Sequence, residues 1–322
     1  MAKYKIVFTD TLLSDLDLER REFAKIGAEV FLASATDPET LKREAADCDA
    51  LFVEFAQLTR DVISALTKCK VVVRTAIGYD NIDVPALTEK GIMFANVPDY
   101  CVDEVSDHTI ALIMACCRKI TALDRQVKAG GWDESVSRPM RRLKDLTLGI
   151  YGYGKIARMV AANANAIGFH VQALDPFVPA ETMAAEHVTA VADKNTLLES
   201  SDVLAMHIPL LESTKNCMDA EAFSHMKQTA YFINTSRGGL MDMDALYQAL
   251  KAGKLAGAAF DVTPEEPPRL SDPIFAMDNV IVTPHIAYYS EEAEMDLRMK
   301  AIENAVLALT QGAPKYYVNR PK

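Results

Sequence analysis

Short apolar segments alternate with amphipathic stretches along almost the whole chain. Five early segments are predicted to be strands: Tyr4–Thr9, Ala28–Leu32, Ala50–Val53, Val71–Arg74 and Ile92–Asn96. Six later segments are predicted in the same way: Thr147–Tyr151, His170–Leu174, Asp202–His207, Ala230–Asn234, Ala256–Val262 and Val280–Thr283. Continuous apolar strands that alternate with helices are typical of parallel sheets covered on both faces. The pattern therefore predicts an α/β protein.

A long helical stretch separates the two groups of strands. Between residues 105 and 120 the apolar side chains recur at helical spacing, and Asp103 is a candidate N-cap. A second helix is predicted over about residues 291–309, after the last strand, and we expect it to return to the first group. The sequence thus predicts a discontinuous first domain, residues 1–101 plus 288–322, with a contiguous domain of residues 102–287 inserted into it.

The composition is that of an ordinary globular protein, with 50% hydrophobic and 25% charged residues among 322. A net charge of −11 repels nucleic acids and anionic membranes, so neither is an expected partner. No apolar segment reaches the roughly 20 residues of a membrane span, and the first residues show no signal-peptide pattern. The six cysteines include no C-x-x-C pair, so we predict no metal site and a cytoplasmic location.

A glycine motif follows the first strand of the second group, in the segment TLGIYGYGKIARMV. Gly152 permits a tight turn, Gly154 lets the backbone approach a pyrophosphate, and the small Ala157 lets the helix pack closely on the strand. The N–H groups of Lys155 and Ile156 would bind the pyrophosphate. The motif by itself also fits a tight turn that binds no ligand.

An acidic residue at the end of the next strand strengthens the prediction. Asp175 lies 23 positions after Gly152, near the spacing of about 20 residues expected for the acid that binds the adenosine ribose hydroxyls. Its charge would repel a 2′-phosphate, and Pro176 and Phe177, which follow, offer no arginine for one. The sequence therefore favours NAD over NADP. The alternative is that Asp175 only begins a turn.

Three further residues each follow a predicted strand, where open α/β sheets bind ligands: Arg237, Glu266 and His285. An arginine can pair with a carboxylate, and a histidine can exchange a proton near neutral pH. A glutamate beside that histidine would favour its protonated form. Taken singly, Arg237 fits a surface ion pair, Glu266 a solvated loop acid and His285 a partly buried histidine. Together they predict the interconversion of a 2-keto acid and a 2-hydroxy acid by hydride transfer.

Over nearly its whole length the sequence resembles the D-isomer-specific 2-hydroxyacid dehydrogenases. Beyond the glycine motif, the segments that carry the resemblance are Gly78–Asp83, Asn96–Pro98, Glu104–His108, His207–Pro209, Asn234–Gly238, Phe260–Val262 with Glu265–Pro267, and Thr283–Ala287. The resemblance implies two Rossmann/flavodoxin-like doubly wound parallel-sheet domains with an interdomain active-site cleft. It also implies a homodimer joined through the NAD-binding domains.

The resemblance assigns roles to individual residues. It implies that Arg237 binds and polarises the substrate, that His285 is the acid/base and that Glu266 supports it. The remaining cofactor contacts that we predict are His207, Pro209 and Thr214 along the groove and Thr235, Ser236 and Asp261 at the nicotinamide end. The backbone of Ile77 and Gly78 is expected to hold the substrate carboxylate.

The loop after Ala50–Val53 bears on the choice of substrate. It has no arginine before Arg60, whereas a phosphate dianion needs charged partners, and Glu54 would repel one if it faced the site. Phe55 would form an apolar wall, unless it packs into its own domain. We therefore expect a small unphosphorylated 2-keto acid with a small or apolar side chain.

Two tyrosines depart from the pattern of many family members. Tyr288 and Tyr289 follow the histidine segment where smaller residues are common. Together with the segment Pro98–Cys101 they resemble the branch of C-terminal-binding-protein corepressors. An NADH-responsive binding protein that recruits partners is therefore the alternative function.

Overall fold

The computed structural model describes residues 2–320, and these divide into two units. Residues 2–100 and 290–320 form unit 1, and residues 101–289 form unit 2. Each unit is built on its own parallel sheet.

Unit 1 contains a five-stranded sheet in the order β2-β1-β3-β4-β5, and all of its strand pairs are parallel. Its strands are β1 (Tyr4–Phe8), β2 (Ala28–Leu32), β3 (Ala50–Val53), β4 (Val71–Arg74) and β5 (Met93–Ala95). Its first four helices are α1 (Asp17–Ala24), α2 (Pro38–Glu44), α3 (Arg60–Ala65) and α4 (Val84–Glu89). Every residue of β3 and β4 is buried, as expected for central strands covered on both faces.

The C-terminal helix, Glu291–Gln311, completes unit 1. The Ser290 side chain caps its first turn by accepting the N–H of Ala293. Arg298 makes a bidentate ion pair with Glu19 of α1, with both N–O distances at 2.8 Å, and the Glu19 side chain is buried. A buried carboxylate needs such a partner, so this ion pair favours one position for the helix on unit 1.

Unit 2 contains a seven-stranded parallel sheet in the order β12-β11-β10-β9-β6-β7-β8. Its strands are β6 (Thr147–Tyr151), β7 (His170–Leu174), β8 (Thr189–Ala190), β9 (Val203–Met206), β10 (Tyr231–Asn234), β11 (Gly257–Phe260) and β12 (Val280–Val282). Its helices are α5 (Val102–Cys117), α6 (Ile120–Lys128), α7 (Lys155–Ile167), α8 (Ala180–Ala185), α9 (Lys194–Ser200), α10 (Ala220–His225) and α11 (Met243–Lys251). Short 3-10 turns cover Glu134–Ser137, Leu143–Asp145, Gly238–Leu240 and Pro273–Ala276. The strand order reverses direction at β6, so its carboxyl end is a topological switch point, where such sheets bind ligands.

Two all-parallel α/β sheets confirm the predicted fold class. Strand β8 was not predicted, because it has only two residues, both exposed, and so gives no apolar segment in the sequence. The predicted helix over residues 105–120 is wrong at both ends. Cys101 rather than Asp103 is the N-cap of α5, and Asp103 lies in the first turn, where its charge favours the helix dipole. The helix stops because Lys119 takes a left-handed conformation, so Ile120 begins a separate helix.

In the described range, residues 2–320, the structure contains no helix that is both long and apolar enough to span a membrane.

Candidate active site

The glycine loop joins β6 to α7 at the switch point of unit 2. Gly152 has a φ of +93°, and a Cβ there would lie 2.7 Å from the carbonyl oxygen of His207, so glycine is required. A Cβ on Gly154 would meet no atom of the described residues within 4 Å, so the space above it is open. Gly154 is the N-cap of α7, and in the described chain no side chain caps this helix, which leaves the N–H groups of the first turn available to an anion.

Asp175 connects this loop to the end of β7. One carboxylate oxygen accepts the N–H of Tyr153 at 2.7 Å, and the other accepts the N–H of Phe177 at 2.8 Å. The residue therefore does form the turn that the sequence left open as an alternative. Each oxygen has a second lone pair, so the carboxylate can also accept a ribose hydroxyl.

His207 follows β9 and lies against the glycine loop. Its backbone N–H donates to the carbonyl of Tyr151 at 2.8 Å, whereas the ring atom Nε2 is buried without a hydrogen-bond partner among residues 2–320. Burial lowers the pKa of His207 to about 4, so the ring is neutral at physiological pH. The buried Nε2 of His207 and the uncapped N-terminus of α7 each suit a polar ligand, and a dinucleotide fits this set of groups.

The other predicted cofactor contacts extend the same edge of the sheet. Thr214 donates to the carbonyl of Pro209 at 2.7 Å and so shapes an exposed loop after β9. Ser236 donates to the carbonyl of Ile208 at 2.7 Å. Thr235 is buried, and its hydroxyl lies 2.7 Å from that of Thr109 in α5, so this side chain fixes the end of β10 to a helix.

Arg237, Glu266 and His285 follow three neighbouring strands of the sheet, β10, β11 and β12. The Nδ1 atom of His285 lies 2.6 Å from Oε2 of Glu266, and the other carboxylate oxygen accepts the N–H of Thr263 at 3.0 Å. The two side chains are 39% and 35% exposed, so both are open to solvent and to small molecules. The structure therefore brings together the predicted acid/base and its supporting carboxylate.

The electrostatic balance at Glu266 links all three residues. Burial raises its pKa, but the hydrogen bond and charge of His285, the N–H of Thr263 and the charge of Arg237 outweigh burial, and the pKa is lowered overall. The carboxyl of Glu266 thus stays ionised until the pH falls through its pKa, which lies below the usual range for glutamate. On the acid side, the ion pair between Glu266 and His285 is lost as the pH falls through that value. An ionised Glu266 keeps a proton on Nδ1 and leaves Nε2 as the nitrogen that exchanges one.

Asp261 positions the turn that carries His285, a role that the sequence analysis missed. Its buried carboxylate accepts the hydroxyl of Thr283 at 2.5 Å and the N–H groups of Ile286 at 3.0 Å and Ala287 at 2.9 Å. His285 has a φ of +52°, a conformation that is costly for a residue with a side chain and that persists only under such constraint. An acid at the end of a buried apolar strand was the available signal, because it must find several donors.

His108 of α5 extends this network. Its Nε2 lies 2.9 Å from the hydroxyl of Thr283, which itself donates to Asp261. Since the threonine proton points to the carboxylate, His108 acts as a donor to Thr283. The helix and the His285 turn are therefore connected through one threonine.

The predicted substrate contacts of unit 1 lie in loops at the carboxyl ends of β3 and β4. The ring of Phe55 is 50% exposed, so it does not pack into the core of its own unit. Within residues 2–320 the N–H groups of Ile77 and Gly78 have no acceptor, which suits them to a carboxylate. The carboxyl of Glu54 accepts the N–H of Leu12 at 3.0 Å. Burial, reinforced by the charge of Asp10, raises the pKa of Glu54 to about 7.

We predict that Asp261→Ala lowers the free energy of unfolding by about 3 kcal/mol or more, because it leaves several buried donors without an acceptor. Urea unfolding followed by circular dichroism measures the change. Asp278→Ala is the control, because Asp278 is exposed and its ion pair is with Arg125, which is also exposed. Equal stability of the two variants would contradict the role given to Asp261.

Known proteins resemble both units of the chain. Residues 110–287 match the model of the D-isomer specific 2-hydroxyacid dehydrogenase, NAD binding domain. The D-3-phosphoglycerate dehydrogenase of Methanocaldococcus jannaschii is 38% identical over 291 residues, 90% of this chain and 54% of that protein, so the chain spans about half of its length. The glycerate dehydrogenase of Methylorubrum extorquens is 34% identical over 98% of both chains.

A solved structure supports the same relationship. The D-lactate dehydrogenase of Aquifex aeolicus, in complex with NAD and lactic acid, has a TM-score of 0.88 and 26% identity, covering 98% of this chain and 100% of that one. The glycine loop, the acid after β7 and the paired histidine and glutamate occupy the matched region of unit 2. The chain belongs to the family of D-isomer-specific 2-hydroxyacid dehydrogenases.

Proposed function

We propose that this chain transfers a hydride between NAD(H) and a small unphosphorylated 2-keto or 2-hydroxy acid. The observation that carries the proposal is the contact of 2.6 Å between Nδ1 of His285 and Oε2 of Glu266, with the charge of Arg237 acting on the same carboxylate. A proton donor, its supporting anion and a fixed cation are the groups that reduction of a keto acid requires.

Each residue has a separate task in the proposed reaction. When bound, the nicotinamide supplies the hydride that reaches the carbonyl carbon. Nε2 of His285 donates a proton to the carbonyl oxygen during reduction and takes it back during oxidation. Glu266 holds Nδ1–H and stabilises the charged ring, while Arg237 pairs with the carboxylate or the carbonyl oxygen of the acid.

We expect His285→Ala to lower kcat by about 10²–10⁴-fold, the usual contribution of general acid/base catalysis, while NADH binding measured by fluorescence titration stays near wild type. Because reduction needs the protonated ring and oxidation the neutral one, kcat/KM for reduction should fall with rising pH and that for oxidation with falling pH. His225→Ala is the control, since His225 also contacts a glutamate, Glu199, at 3.0 Å but lies elsewhere on the surface. A His285→Ala enzyme with most of its kcat would remove this residue from the mechanism.

We propose that the chain prefers NADH to NADPH, because Asp175 follows β7 with lone pairs available to ribose hydroxyls and with a charge that repels a phosphate. The wild type should show a clearly higher kcat/KM with NADH than with NADPH, and Asp175→Ala should bring these two values closer together. Asp193→Ala, which removes an exposed helix cap at α9, should leave the ratio unchanged. Equal kcat/KM for the two cofactors in the wild type would refute the preference.

The choice of an unphosphorylated substrate rests on the loop after β3. Residues 54–59 offer no arginine, and the exposed ring of Phe55 offers apolar surface instead. The curated relatives differ on this point, since one is named for phosphoglycerate and another for glycerate. Because the pKa of Glu54 is about 7, its repulsion of a phosphate is only partial at neutral pH and grows above it.

We expect phenylpyruvate and 2-ketoisocaproate to exceed 3-phosphohydroxypyruvate in kcat/KM at pH 8. Burial of an apolar substrate side chain contributes roughly 1.5–3 kcal/mol, which is about 10–150-fold in rate. Phe55→Ala should reduce this advantage, whereas Phe31→Ala, a comparably exposed phenylalanine in β2, should not. A higher kcat/KM for the phosphorylated acid would overturn this assignment of the substrate.

We also propose that two copies of the chain associate through unit 2. Helix α6 has no buried residue in the described chain, and apolar side chains are exposed along and after it: Ile120, Val127, Trp132 and Val136. An isolated helix of nine residues is marginal in water and gains stability when its apolar side is covered. A second copy of this chain would provide that cover, as expected from the family resemblance.

Sedimentation equilibrium should therefore give twice the monomer mass. The double substitution Val127→Glu and Trp132→Glu should yield a folded monomer, because it places charges in the apolar contact. Met295→Glu changes an apolar residue of the C-terminal helix that is about as exposed as Val127, and this variant should remain dimeric. A monomeric wild type at micromolar concentration would exclude this assembly.

We infer a reducing compartment, the cytoplasm, as the location of the chain. Within residues 2–320 none of the six cysteines forms a disulfide, and five of them are buried. Buried thiols outside disulfides are typical of proteins that stay in reducing compartments.

A further inference from the structure

Cys48 and Cys69 occupy equivalent positions before two neighbouring strands. In the parallel pair β3–β4, Ala50 is opposite Val71. The N–H of Lys70 donates to the carbonyl of Asp49 at 2.9 Å, so the pairing continues before the strands begin. Two positions before Ala50 and Val71, this register places Cys48 opposite Cys69.

Both thiols belong to one apolar cluster of unit 1. Cys48 is fully buried and Cys69 is 8% exposed. The neighbouring Cys48 thiol, followed by burial, raises the pKa of Cys69 well above its usual value. Neighbouring strands lie about 4.8 Å apart, within the roughly 4.4–6.8 Å between Cα atoms that a disulfide requires.

We propose that Cys48 and Cys69 form an intramolecular disulfide when the protein meets an oxidant such as a peroxide. One thiol of the pair loses its proton as it attacks one peroxide oxygen, which gives a sulfenic acid and the first water. The other thiol loses its proton as it attacks the sulfenic sulfur and displaces hydroxide, which takes up that proton and becomes the second water. Two thiols and one hydrogen peroxide thus yield one disulfide and two waters.

The position of the pair predicts the effect of oxidation. Both cysteines precede their strands, whereas Phe55 and Ile77 follow the same two strands at the opposite edge of the sheet. Four residues of strand separate the two edges by about 13 Å. The disulfide would therefore constrain the segment 48–69 and stabilise unit 1 without changing the loops proposed to bind substrate.

The other cysteines serve as internal controls. Cys116 and Cys117 are adjacent in helix α5, where consecutive side chains point in different directions. A disulfide between them would require that turn of the helix to open. Oxidation that leaves the fold unchanged should therefore link Cys48 to Cys69 and should not link Cys116 to Cys117.

The test treats the intact protein with hydrogen peroxide or diamide at pH 8.5, because the raised pKa of Cys69 makes its oxidation faster as the pH rises, and blocks the remaining thiols with N-ethylmaleimide. Mass spectrometry should find one disulfide-linked peptide pair containing Cys48 and Cys69, with four thiols alkylated after denaturation. The Tm should rise by about 5 °C or more, and dithiothreitol should reverse the rise. NADH-dependent activity should change by less than about twofold.

Two variants make the outcome decisive. Cys117→Ala retains the pair and should behave as the wild type does, whereas Cys69→Ala should lose both the linked peptide and the oxidant-dependent rise in Tm. If Cys69→Ala does not fold, the linked peptide and the Tm of the oxidised wild type decide alone. A wild type in which Cys48 and Cys69 are alkylated after oxidation, or in which their linkage leaves the Tm unchanged, overturns the proposal.

Discussion

The buried carboxylate of Asp261 is the constraint on which the geometry of the candidate site depends. It accepts hydrogen bonds from a hydroxyl and two backbone N–H groups of the segment that contains His285. The left-handed backbone at His285, with a φ of +52°, is costly, and these three hydrogen bonds stabilise the segment in that conformation. Asp261 therefore helps to hold His285 where it contacts Glu266.

The parallel sheet explains why distant parts of the sequence meet here. Arg237, Glu266 and His285 follow three neighbouring strands, and the glycine loop follows a fourth strand of the same sheet. All strands run in one direction, so every one of these segments emerges at the same edge. At this edge Gly152 takes φ +93°, which glycine adopts readily, whereas the φ of +52° at His285 is costly, and both residues follow buried apolar strands.

The sequence was sufficient for what depends on local pattern. Strands β3, β4 and β9 are continuous apolar segments with fully buried residues, and such segments are easily recognised. What depends on contacts between distant residues could not be predicted. The conformation of Lys119 divides a helix whose apolar spacing is continuous. The raised pKa of Glu54, likewise, arises from burial and from a charge at residue 10.

Asp175 and Asp261 also show that contacts between distant residues could not be predicted from the sequence. Both follow strands, and the sequence assigned both to the cofactor, but a sequence motif does not show how many donors already surround a carboxylate. Asp175 accepts one backbone N–H on each oxygen and keeps lone pairs for a ligand, whereas Asp261 is buried and one of its oxygens already accepts two hydrogen bonds. A carboxylate that accepts more hydrogen bonds from its own chain contributes more to the order of that chain and has fewer lone pairs for a ligand. Asp261 accepts three such bonds and Asp175 accepts two, a difference that arises from contacts between distant residues, and the cofactor contact predicted for each of them stays a prediction.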